Sequence, residues 1–165
     1  MSDRVESIFA GTAGLALAAF VALYLALARG PASSEPEAHD RLIRLIAIAI
    51  AAQGLHFVEE LATGFHRRFP EFLSFEPWPA QFFVAFNVLW IVLWIVSVFG
   101  VRESVAAAYF PIWFLAIGMS LNGLVHPLLA LASGGYFPGL FSSPVVGFLG
   151  VVLCRRLWEL TSARF

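Results

Sequence analysis

Gln53-Gly54-Leu55-His56-Phe57-Val58-Glu59-Glu60 stands near the end of an apolar run that begins at Leu42. Residues three and four apart share a helix face, so His56 lies beside both Glu59 and Glu60, and Gln53 lies one turn before it. A histidine, two carboxylates and an amide crowd about two turns of a helix that otherwise reads as lipid-soluble. Ionisable groups at membrane depth are costly and by default mark a functional site facing the interior of a bundle. The plainer alternative is that the two glutamates end the helix at the membrane surface. A surface terminus leaves the histidine and the glutamine below it unexplained.

Composition points the same way. The 165 residues are 60% hydrophobic and 13% charged, and the mean hydropathy is +0.84. Soluble domains run at about half apolar and about a quarter charged. A water-soluble core of this size cannot hide so much apolar surface. The expected class is all-α, a polytopic integral membrane helix bundle forming a single domain over residues 1–165. A net charge of −1 without a basic cluster gives no sign of a nucleic-acid partner. The expected partners are the lipid bilayer and a hydrophobic small molecule, and oligomeric state is left open. The single Cys154 excludes an internal disulfide and reads as a small buried residue.

Working outward, about five spans are expected, at residues 8–28, 42–62, 80–100, 105–132 and 140–156. The first competes with a signal-peptide reading, but Asp3 and Glu6 against Arg4 and the length of the apolar run favour a retained helix. Gly30, Pro31, Ser33, Ser34 and Pro36 break the chain after it, Glu35 and Glu37 keep that loop in water, and Asp40 reads as the cap of the second span. Gly64 reads as its C-terminal stop. Residues 66–79 alternate Phe69, Phe72, Phe75 and Trp78 with Pro70, Pro77 and Pro79. That stretch suits either an aromatic belt in the headgroup zone or a lid over the bundle. His66 reads as a surface residue. The third span carries the stripe Asn87, Trp90 and Trp94. In the fourth, Asn122 and His126 share a face, and Pro127 frees the carbonyl of Gly123 beside them. Ser143-Pro144 reads as the start of the last span, which Arg155 and Arg156 close.

Five spans put the chain ends on opposite sides. Arg29, Arg41, Arg44, Arg102, Arg155, Arg156 and Arg164 then share one side, against Arg4, Arg67 and Arg68. The positive-inside rule places the N-terminus outside and the C-terminus in the cytoplasm. At about 1.5 Å per residue, His56 and His126 each lie roughly 20 Å up their helices, and Asn87 roughly 10 Å below the outer end of its own. His56, Glu59, Glu60, Asn87, Asn122 and His126 therefore share one layer in the outer half of the membrane. The alternative to a functional site is a hydrogen-bond cluster tying three helices together.

His56-Phe57-Val58-Glu59-Glu60 resembles the motif of the HXXEE family of small integral membrane proteins. The later Asn122-Gly123-Leu124-Val125-His126 and Tyr136-Phe137-Pro138-Gly139 are similar to that family's pattern in the same order. The resemblance implies a membrane location and a site, but no reaction.

Two chemistries fit the residues. In one, His56, Glu59, Glu60 and His126 supply ligands to zinc or iron, which activates water or oxygen beside a lipid-like substrate. In the other, a glutamate in a low-dielectric pocket protonates the substrate and Phe86, Trp90 and Trp94 stabilise the cation. That scheme resembles the five-span sterol isomerases of the emopamil-binding type, by analogy of residue types. A protein that binds a small molecule, a proton or a metal ion without catalysis is the non-enzyme alternative.

Overall fold

A computed structural model describes residues 2–31 and 36–164. Among them run six α-helices: α1 (Ser2–Ala28), α2 (Pro36–Thr63), α3 (Phe65–Phe72), α4 (Ala80–Arg102), α5 (Tyr109–Ala132) and α6 (Ser143–Leu160). A 3-10 turn at Ala106–Ala108 leads into α5, and strands β1 (Arg29–Pro31) and β2 (Thr161–Ala163) pair antiparallel. The fold is the expected all-α bundle. Gly11–Ala28, Pro36–Thr63, Ala80–Arg102 and Ala106–Ala132 are long and apolar enough to cross a membrane. The fifth long helix, α6, has 18 residues and carries Arg155, Arg156 and Glu159 towards its end. Phe20, Leu27, Phe99, Leu131 and Phe148 are exposed on the outside of the bundle. Apolar faces of this extent suit lipid better than water.

Several boundaries differ from expectation, for local reasons. α2 begins at Pro36 rather than Leu42. Proline's fixed φ suits a first helical turn, and Glu37 complements the positive end of the helix dipole. Asp40 therefore lies inside the helix rather than capping it. Ser33, Ser34 and Glu35 lie outside the described residues. Gly64 does stop α2, at φ 81°. α6 begins at Ser143 rather than residue 140 and runs past Arg156 to Leu160, because Leu153 and Leu157 continue its buried stripe while Arg155 and Arg156 both reach Glu159 at 2.8 Å.

The core forms around α5, whose Ile112, Trp113, Leu115, Ala116 and Met119 are buried. α5 packs on α1, α4 and α6, and α2 packs on α4 and α6. α5 and α6 cross almost backbone to backbone: a Cβ added at Gly123 would meet the Cα of Gly147, and one at Gly150 would lie 2.5 Å from the Ser120 nitrogen. Small residues permit such an approach between helices. The crossing brings the 133–142 loop, which joins these two helices, over the far end of α2.

Two devices close the ends of the bundle. At one, Arg29 joins β1 to the end of α6: it donates to Thr161 Oγ1 at 3.0 Å and to the Trp158 carbonyl at 2.8 Å, and it stacks over the Trp158 ring. At the other, the aromatic stretch after Gly64 folds as a lid. Trp78 Nε1 donates to Ser7 Oγ at 3.0 Å, and Ser7 donates to the Glu76 carbonyl at 2.8 Å, fastening the lid to α1.

Candidate functional site

The buried stripe of α2 includes Gln53, His56 and Glu60. Glu60 Oε1 lies 3.7 Å from His56 Nε2, one turn away, and 3.3 Å from Nε2 of His126 on α5. His56 is 0% exposed, His126 1% and Glu60 6%. The two imidazoles meet edge to face, with ring centroids 4.8 Å apart. Among the described residues, His56, Glu60 and His126 form a group able to hold a metal ion, with ligand atoms all within 4.8 Å of one another.

The backs of the two histidines fix their tautomers. His126 Nδ1 lies 2.6 Å from the Pro138 carbonyl. A carbonyl only accepts, so His126 carries its proton on Nδ1. His56 Nδ1 lies 2.7 Å from Ser142 Oγ. That hydroxyl donates its own hydrogen to Glu59 Oε2 in a short contact, so it accepts from His56 Nδ1–H. Each ring therefore turns its Nε2 towards Glu60, and in the neutral form that nitrogen offers a lone pair. Partners of this kind, behind a histidine, orient a metal ligand and set its tautomer.

Glu59 faces the other flank of α2. Its carboxylate accepts from Tyr136 Oη at 2.8 Å, from the Phe141 and Ser142 backbone N–H groups at 3.0 and 2.8 Å, and from Ser142 Oγ. Those backbone donors stand at the start of α6, where N–H groups lack helical partners and a negative charge is favoured. Burial, with Glu59 beside it, raises the Tyr136 phenol above its usual range, so it stays a donor at neutral pH. Glu59 thus sits behind His56, through Ser142, rather than beside the Nε2 atoms.

Gly139 explains how the loop gets so close. It adopts φ 88°, and a Cβ there would lie 2.5 Å from His126 Cε1 and 3.0 Å from His56 Cε1. The positive φ and the contact both demand glycine.

Asn87 and Asn122 contribute amides to the wall of a cavity of about 310 Å³, which Glu60, His126 and Gln53 also line. Asn87 Nδ2 donates to the Phe83 carbonyl of its own helix at 2.9 Å. The remaining wall is largely aromatic, with Phe82, Phe86, Trp90 and Trp94 from α4 and the lid residues Phe65, Phe69 and Trp78. Of the two readings of the 66–79 stretch, the lid describes this packing. His66 lies apart from the cluster, its ring 5.9 Å from that of Phe83. Burial and then Arg67 hold it below the usual histidine range.

A family model described as a protein of unknown function with HXXEE motif matches residues 47–153. The chain belongs to the HXXEE family. The matched stretch runs from within α2 to within α6, so it contains both histidines, both glutamates and the loop that covers them. No curated protein and no solved structure matches the chain.

Sequence reasoning about the HXXEE motif found both flanks of α2 but not what stands behind them. Tyr136 and Pro138 enter that reasoning only through the motif Tyr136-Phe137-Pro138-Gly139, and Ser142 only as part of the span 140–156, with no contact to the histidines assigned to any of them. The available signal was a glycine-rich, uncharged loop following on the helix that carries Asn122 and His126.

Proposed function

We propose that this protein is an integral membrane enzyme that holds zinc or iron at His56, Glu60 and His126 and acts on a hydrophobic small molecule bound in the adjoining cavity. One observation carries the reading: two imidazole Nε2 atoms and a carboxylate oxygen, three acceptors when both rings are neutral, converge in a buried space. Such an arrangement is favourable only with a cation between them, a metal ion or a proton. The separations of 3.3 and 3.7 Å are close to the ligand–ligand distance of about 3.3 Å implied by tetrahedral bonds of about 2.0–2.1 Å. A bound ion would activate water or oxygen next to the substrate. The chain's own residues do the rest. Pro138 and Ser142 hold the imidazoles in the binding tautomer, Glu59 anchors Ser142, and the lid and aromatic wall keep water from the cavity side of Glu60.

Metal analysis of protein purified without added chelator tests this. About one zinc or iron per chain is expected. A folded, metal-free protein that takes up neither ion would overturn it.

The aromatic wall favours a second reading, in which the shared cation is a proton and Glu60 delivers it to the substrate while Phe86, Trp90 and Trp94 stabilise the positive charge. Binding without turnover is the outcome if metal and ligand both load and no product forms.

The site would lie in the outer half of the bilayer, with the N-terminus outside and the C-terminus in the cytoplasm. The arginines gathered at the β1–β2 end support that orientation. Single cysteines at Ser74 and Ser162 should label from opposite faces of sealed vesicles; labelling from the same face would sink the topology.

A further inference from the structure

Gln53 is the one member of the α2 stripe that the metal cluster does not use. It is 8% exposed and lines the cavity, and its Oε1 is buried with no hydrogen-bond partner among the described residues. A buried amide left unpaired in an apolar setting costs more than a paired one gains. Among the described residues, the other buried, unpartnered polar atom in this wall is Trp94 Nε1. The same cavity is lined by Phe86, Trp90, Phe114, Leu115 and Met119, and by the amides of Asn87 and Asn122.

We infer that the cavity selects an apolar molecule carrying a hydroxyl group, and that Gln53 is the residue that recognises the hydroxyl. The inference rests on the proposed site only for the identity of the reacting end. A hydroxyl both donates and accepts, so it pairs with the amide whichever way the amide is turned. A hydrocarbon cannot pair and leaves the amide as it was. Sites that hydrogen-bond a buried hydroxyl discriminate against analogues lacking it far more strongly than apolar pockets discriminate by size. Gln53 and Glu60 are two helical turns apart, about 10 Å along the axis. The hydroxyl therefore anchors one part of the molecule while a second part, about that far away, reaches Glu60 and His126. The volume, about 310 Å³, sits at the small end of the range of about 300–1,000 Å³ for ligand sites. That suits a compact or medium-chain alcohol rather than a two-chain lipid.

The test uses the full chain in detergent and two brominated probes, 10-bromodecan-1-ol and 1-bromodecane. Trp78, Trp90 and Trp94 line the cavity, so an occupant carrying bromine quenches their fluorescence. In wild type the alcohol should quench saturably. Gln53→Met should weaken alcohol binding about tenfold and leave the bromoalkane within about twofold, since partition into micelles cancels in each wild-type-to-variant ratio. Equal effects on both probes, or no saturable quenching by the alcohol, would overturn the inference.

A second measurement needs no altered Gln53. With only the glutamine side-chain amides 15N-labelled, two such groups are observed, Gln53 and Gln81, and Gln81→Glu identifies the resonance that belongs to Gln53. That resonance should shift with the alcohol and not with the alkane; a resonance indifferent to both overturns the assignment. Repeating the quenching after chelator treatment separates the two proposals. Chelator-treated protein that still prefers the alcohol through Gln53 supports this inference independently of the metal reading, which is overturned separately by folded protein that takes up neither ion.

Discussion

Glu59 and Glu60 are neighbours in the chain and face different worlds. Glu60 is buried between the two imidazoles and, among the described residues, meets no hydrogen-bond donor outside the cluster, while Glu59 is partly exposed and takes four donors from the loop before α6. A single helical step turns the side chain by about 100°, enough to send one carboxylate inward and the other across to the loop. The comparison teaches that a paired-carboxylate motif need not be a pair in function. One glutamate is a candidate ligand. The other holds Ser142, which holds His56. The motif therefore builds a site and its support from five consecutive residues.

The comparison can be broken by experiment. The largest effect is expected from His126→Ala, which removes an inward ligand outright: bound metal should fall from about one per chain to background. A variant that keeps its full metal content places the ion elsewhere or nowhere.

The two glutamates come next. Glu60→Gln removes a ligand and should weaken metal binding by more than about 100-fold, whereas Glu59→Gln acts through Ser142 and should cost about 10–100-fold. Competition with a chromophoric chelator reads both. The same variants should separate by NMR, with Glu60→Gln disturbing the His56 titration more. The reverse order exchanges their roles, and no shift from either means that the motif is not a coupled site.

Gly139→Ala tests the loop that joins the flanks. A methyl group there meets both imidazoles at a positive φ, so a loss of about 1–3 kcal/mol is expected. Thermal unfolding in detergent measures it; unchanged stability would mean that the loop does not press on the histidines.

The smallest effect belongs to Tyr136→Phe. It removes one of four donors to Glu59 and should cost about 1 kcal/mol without changing metal content. A large loss of metal would instead give the phenol a direct part in the cluster.

Much of this was legible in the chain. Apolar runs of about 20 residues announce spanning helices because lipid leaves the backbone no other partner. The spacing Gln53, His56, Glu60 announces one buried stripe because α-helical geometry is local. Rise per residue and the alternation of helix direction lead to the expectation that His56, Glu59, Glu60, Asn87, Asn122 and His126 share a layer, and Glu60, Asn87, Asn122 and His126 do line one cavity. Those statements need only distances along a helix.

What tertiary structure decided is which groups touch. Rise and spacing could not tell that Asn87 and Asn122 would line the cavity while His126 reached Glu60, because the rotation of one helix against another is set by packing, here by Gly123 on Gly147. Nor could they tell that Glu59 would be held by Tyr136, Phe141 and Ser142, some eighty residues on, because a loop's conformation depends on the helices that carry its ends. Helix periodicity is a property of neighbours in the chain. The tautomers of His56 and His126 are settled by a hydroxyl and a carbonyl that only the folded loop delivers.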